Sequence, residues 1–405
     1  MHVRLPALLL ALSFSGCATS TDTAVSSHPR LVVSAGPYDR RESLVTFSVA
    51  PELSEFTGLV DDEGLVVALQ VQDGTAAFIL PRLDAGRTRQ YNFLWREDAP
   101  PLVHTEKSGS RLNFSVKGSP VVSYQAEPGA FPRPFVRNIF RRGGYLHPVY
   151  TPSGKIVTDD YATNHWHHHG IWMAWTKTEW QGRAPDFWNM GDAKGKVEFL
   201  ALDRTWEGPV HGGLVARHRF VDTTTNASHT VLHETWQVTV YRTEPKGEFA
   251  RYHIFDLVST QTCAGDSWLR LPQYHYGGLG FRGHESWNGK DGTQFLTSEG
   301  VRDRIRGNMS TARWCDISGD VEGNRVGIAI LDHPANFRAP QPVRLHPTEP
   351  FFCYAPQQAG DMEIIPGRPY ISRYRFIVHD GAPDPGELER LWKDFAEPPT
   401  VAVVH

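Results

Sequence analysis

Six consecutive residues, Asn164-His165-Trp166-His167-His168-His169, concentrate more ligand-binding chemistry than any other stretch of the sequence, and Gly170-Ile171-Trp172 follows directly. Imidazole is the one unperturbed side chain that changes charge near neutral pH, and it is also the commonest ligand of transition metals. Four packed imidazoles would repel one another when protonated, so they are hard to bury for structure alone and point to a working site. Read as an extended strand, the run sends His165, His167 and His169 to one face and Trp166 and His168 to the other. His165 and His167 then form a His-x-His pair able to offer two ligands to a divalent metal. A third would come from His147, His275 or Asp186. The other use of neutral imidazole is general acid–base work, which needs only one or two histidines with a pKa near the working pH. For that chemistry His168 and His169 are the expected proton-transfer groups, with His165 positioning and His275 contributing from a facing strand.

The elements that must carry these residues read as strands. Short alternating segments such as Ser43 to Val49, Gly64 to Val71, Thr75 to Leu80 and Arg89 to Leu94 are punctuated by Gly, Pro and Asp. Longer ones follow at Lys196 to Leu202, Leu214 to Val221, Thr230 to Tyr241, Ala250 to Thr260, Arg325 to Leu331 and Ile371 to His379. Regular strands separated by turn residues predict an all-β, antiparallel sandwich. Only Pro385 to Phe395 has a helical pattern. The proline-rich stretch from Pro128 to Pro134 is the expected seam between an N-terminal β module, 30–126, and a main β domain, 127–400, that holds the candidate site. Gly277-Gly278-x-Gly280 lacks the strand-to-helix setting of a phosphate loop and reads as tight strand geometry.

Met1 to Arg4 is a short cationic start, and Leu5 to Phe14 is an apolar run too short to span a bilayer. Ser15-Gly16-Cys17 then resembles a bacterial lipoprotein cleavage site, so 1–16 is expected to be a signal peptide, Cys17 the lipidated residue and 17–29 a flexible tether. Ala18 after the cysteine favours the outer membrane by resemblance to enteric sorting. No later segment approaches the length of a spanning helix. Cys263, Cys315 and Cys353 are too irregularly spaced for a zinc framework. With 41 basic and 45 acidic side chains, of which 1–16 holds only Arg4, the remainder carries 40 − 45 = −5. That charge recruits neither nucleic acid nor an anionic membrane surface. The 12 Trp residues favour carbohydrate, because flat aromatic faces stack on the C–H faces of sugar rings.

Several long motifs carry a resemblance: Tyr145-Leu146-His147-Pro148-Val149-Tyr150-Thr151-Pro152-Ser153-Gly154, the histidine run through Trp172, Asp186-Phe187-Trp188, Tyr276 to Gly283, and Tyr374 to Gly381. Together they resemble the PmoA-like family of uncharacterised bacterial proteins from about Leu31 to Gly381. The name refers to a methane mono-oxygenase subunit that is an integral membrane protein, which a chain lacking a spanning helix does not match. What the resemblance implies is a galactose-mutarotase-like supersandwich, a fold found in many glycan-processing enzymes. The family tends to have Asp and Pro where this sequence has Asn164 and Trp166.

The expected activity is cleavage of a glycosidic bond in the cell envelope, by hydrolysis or β-elimination, with the histidines moving protons. Trp166, Trp172, Trp188 and Tyr274 would bind the sugar by stacking or hydrogen bonding, and Arg137, His147, Asp186 and Arg282 would orient hydroxyl or carboxylate groups. A divalent metal is the one cofactor the pattern admits. The rival expectation is a lipoprotein that binds a glycan without cleaving it.

Overall fold

The computed structural model of the chain describes residues 29–95, 99–243 and 252–404. Residues 1–28, with the expected signal and Cys17, lie outside that range. The fold is an antiparallel all-β sandwich built on two eight-stranded sheets. One runs in the order Gly195–Trp206, His211–Asp222, His229–Tyr241, Tyr252–Cys263, Tyr370–Asp380, Asn324–Asp332, Trp314–Val321 and Thr293–Thr297. The other runs Val343–Leu345, Phe351–Tyr354, Gly278–Arg282, Ile171–Ala174, Tyr145–Val149, Ser119–Gln125, Arg111–Val116 and Val103–Ser108. The apolar residues at alternate positions, among them Leu214, Trp236, Leu257 and Phe376 from the first sheet and Phe114, Ile171, Met173 and Phe352 from the second, share one buried core.

Alternation gives the second sheet another apolar face. Trp172, Ala174, Phe351 and Cys353 point away from the inter-sheet core and pack with Trp188 in a separate cluster. Close backbone approach makes this possible. A Cβ on Gly280 would stand 2.7 Å from both Trp172 and Trp188, and one on Gly278 would stand 2.7 Å from the Tyr354 carbonyl. The expected tight strand geometry of the glycine motif is therefore present.

The seam expected at 126/127 does not separate the sheets. Ser119–Gln125 pairs with Tyr145–Val149 across it, so the three strands from Val103 to Gln125 belong to the larger sandwich. The proline-rich stretch is instead a strap over the outer face, fastened where Arg133 donates to the carbonyls of Asp160 and Tyr161 and pairs with Asp159. The N-terminal module consists of a five-stranded and a three-stranded sheet, and its outermost strand is Thr400–Val404, paired with Arg30–Ser34. Its core includes Leu31, Val33, Phe78, Leu80 and Tyr91. Buried Arg40 joins it to the C-terminal helix by an ion pair of 2.9 Å with Asp394. That helix spans Pro385–Ala396, where the Asp384 side chain caps the backbone N–H groups of Gly386 and Glu387. Cys263, Cys315 and Cys353 are all free thiols.

Candidate functional site

The histidine run is the strand His165–His169, paired with Asp160–Ala162 on the outer face of the second sheet. Its simple two-faced alternation is not kept. Asp160 pairs with His169 and Ala162 with His165, so Tyr161 alone, at φ 50°, stands opposite three residues. The irregularity turns His168 toward His165, and their rings stack at 4.7 Å with 8° between planes. His167 meets His168 edge-on at 4.6 Å. The strand leads straight into Ile171–Ala174 because Gly170 has no Cβ to strike the Leu146 carbonyl.

His169 is fully buried and differs from its neighbours in having a carboxylate partner. Its Nδ1 lies 2.7 Å from Asp160 Oδ1, while Tyr145 donates its hydroxyl to Asp160 Oδ2 at 2.8 Å. Burial alone would raise the Asp160 pKa, but the hydrogen bond from His169 holds it below the ordinary carboxylate range, while burial lowers the His169 pKa and favours the neutral ring. An ionised carboxylate only accepts, so Nδ1 carries the ring proton and the Nε2 lone pair is left without a partner. Tyr145 and Tyr161 wall the ring, each at 4.6 Å.

The other imidazoles are held neutral. Burial, reinforced by His165, His169 and Arg282, pushes His167 down to about 3. Burial likewise lowers His165 and His168, and takes His346, which meets His165 edge-on at 6.1 Å, down to about 4. Neutral rings are the form that binds metals. Among the described residues, however, no group of three His, Cys, Asp or Glu side chains is placed to hold an ion. His165 and His167 are 5.7 Å apart between ring centroids, and none of the expected third ligands joins them in such a group.

Several expected roles change once burial is known. Trp172 and Trp188, 0% and 1% exposed, pack on each other at 4.8 Å and form the floor of the site rather than an open stacking surface. His168, 3% exposed, is sandwiched between His165 and Phe351 and does not face solvent. Arg282 is fully buried, its Nη2 donating to Asn164 and Asn288 and pairing with Glu349 at 3.3 Å. The Asp186 carboxylate caps the following turn, accepting from the Trp188 and Asn189 backbone and the Asn189 amide. His147 is bound to Thr158 at 2.9 Å. His275 is exposed in the loop before Gly278–Arg282, against Tyr274 and Tyr276, and not on a facing strand. Arg137 is exposed above Phe140, whose ring meets Trp166 edge-on and lies tilted against His167, so it touches the run only indirectly.

The partly exposed surface is thus formed by His165, Trp166 and His167, with Tyr274 and Tyr276 joined to the floor where Tyr276 meets Trp188 at 5.5 Å. Beneath it, His165 Nδ1, His168 Nδ1, both indole nitrogens of Trp172 and Trp188, and the Nε and Nη1 of Arg282 are buried without hydrogen-bond partners. Sequence reasoning missed Asp160, Glu349, Phe351 and Tyr145 as members of this arrangement. The only signal for Asp160 was the acidic pair Asp159-Asp160 upstream of the histidines, whose pairing to His169 depends on the irregular register.

No curated protein matches the chain. The PmoA-like expectation is overturned by the family comparison, in which nothing links the chain to that family. Residues 111–393 match instead the model of a family of unknown function, DUF6807, and the chain belongs to that family.

Proposed function

We propose that the protein is a carbohydrate-active enzyme of the bacterial envelope that cleaves a glycosidic bond, with the Asp160–His169 pair transferring the proton. The observation that carries this reading is the free Nε2 lone pair of a ring whose tautomer and orientation are fixed by a carboxylate. Asp160 would stabilise the imidazolium formed when Nε2 takes a proton from water, for hydrolysis, or from a sugar carbon, for elimination, and the imidazolium would then return that proton to the glycosidic oxygen as its C–O bond breaks. Trp166, Tyr274 and Tyr276 are the aromatic faces open to a sugar ring. Because His169 is buried, the reaction also needs a local opening that exposes Nε2 to the substrate. Attachment through Cys17 is the envelope part of the proposal and rests on the sequence motif alone.

The test is a panel of purified glycans with mass analysis of products, which separates added water from an unsaturated sugar. His169→Gln should fold and lower turnover by about 10²–10⁴-fold. A folded variant with full activity would remove His169 from the mechanism. Burial of His168 and His169 favours a second reading, a protein that binds a glycan without cleaving it. Saturable binding with no product on any substrate of the panel would support that reading instead.

A further inference from the structure

A second cleft lies away from the histidine run, at the end of the segment that leaves the Ile171–Ala174 strand. Two turns form it. Trp180 and Arg183 exchange backbone hydrogen bonds of 2.9 Å in the first, and the second runs from Asp266 to Trp268. Glu179 and Arg270 are joined by backbone hydrogen bonds at their base, and Gln181 Nε2 donates to Ser267 Oγ at 2.9 Å between the turns. The cleft is open to solvent on one side and has a volume of about 630 Å³.

The lining combines what a neutral, hydroxyl-rich ring needs. Trp268 is 56% exposed, presenting an indole on which nothing packs among the ring contacts of the described residues. Trp180 is buried beneath, with the Arg183 guanidinium 4.6 Å over its ring. Arg183 is paired with Asp222 and Arg270 with Glu179 and Asp361, so with Asp266 the lining and its partners hold four carboxylates against two guanidinium groups. Such a lining disfavours an anionic ligand. It leaves the carboxylate oxygens of Asp266 and the indole N–H of Trp268 to meet hydroxyl groups.

We infer that this cleft is a carbohydrate-binding subsite for a neutral oligosaccharide, stacked on Trp268 and hydrogen-bonded by Asp266. It is separate from the Asp160–His169 pair and does not depend on the reaction proposed there. The subsite would hold a chain on the protein whether or not the chain is cleaved.

Titration calorimetry with the full chain tests it, using tetrasaccharides of β-1,4-glucose, β-1,4-xylose, β-1,4-mannose and α-1,4-glucose as probes. At least one should bind, and Trp268→Ala should weaken its binding about tenfold, the scale of losing one stacked aromatic contact. Asp266→Ala should weaken the same probe, whereas Trp95→Ala, at an exposed tryptophan of the N-terminal module, should leave its affinity unchanged. The exposed position of Trp268 means that its replacement should not alter the melting temperature, which is checked alongside. Binding of none of the four probes, or equal affinity in folded Trp268→Ala, overturns the assignment.

Discussion

Acidification should unfold this protein partly through His167. In the folded chain its pKa is pushed down to about 3, first by burial and then by His165, His169 and Arg282. In the unfolded chain an imidazole has its ordinary value of about 6.5. Between those values the unfolded state binds a proton that the folded state refuses. The contribution of the neutral ring is therefore present above about pH 6.5 and is lost as pH falls. Each pH unit inside the window is worth ~1.4 kcal/mol, so moving from near pH 7 to near pH 5 removes ~2 kcal/mol for a fully enclosed ring. The ring is partly exposed. Solvent screening reduces the expected loss to about 1 kcal/mol. Gln has similar reach, hydrogen-bonds and does not titrate, so His167→Gln isolates the effect. Denaturant unfolding of both proteins near pH 7 and near pH 5 should show the wild type losing about 1 kcal/mol more than the variant, with matching m values. Whatever packing the substitution disturbs lowers both pH points together and cancels. Equal losses in the two proteins, or a larger loss in the variant, would refute the reasoning.

Three further outcomes concern packing and attachment. Gly280→Ala should destabilise by ~1–3 kcal/mol, because its Cβ would press on Trp172 and Trp188 at once; an unchanged melting temperature would show that the two rings can shift freely. Asp394→Ala leaves the buried Arg40 guanidinium without its carboxylate and should cost about 3–5 kcal/mol, measured by denaturant unfolding, whereas a loss below about 1 kcal/mol would mean that Arg40 finds water instead. Cys17→Ser should abolish incorporation of labelled fatty acid and release the protein from membrane fractions; persistent labelling would rule out that cysteine as the attachment point.

The sheets were readable because strands alternate. Ile171 and Met173 face one core while Trp172 faces another, and the same period runs through Phe351–Tyr354. The helix was readable from its apolar spacing, and Asp384 supplies the cap that starts it. The site was readable only in part. The run was correctly seen as extended, but the crowding of His168 onto His165 follows from the backbone of Tyr161, which side-chain order does not encode. The same tryptophan that stacks on a sugar also fills a core, so Trp172 and Trp188 could not be assigned before their burial was known. Asp160 meets His169 across the strand pair, and that meeting depends on register rather than on spacing along the chain.

The pairing of Arg30–Ser34 with Thr400–Val404 imposes an order on biogenesis. During synthesis the first strand emerges early but lacks one edge neighbour until almost every other described residue has been made. The sandwich of residues 103–380 can close its own two sheets without the first strand, so the N-terminal module is the part that waits. Until then the sheet is incomplete, with one side of Leu31 to Val33 unpaired. Such an edge is open to pairing with other strands.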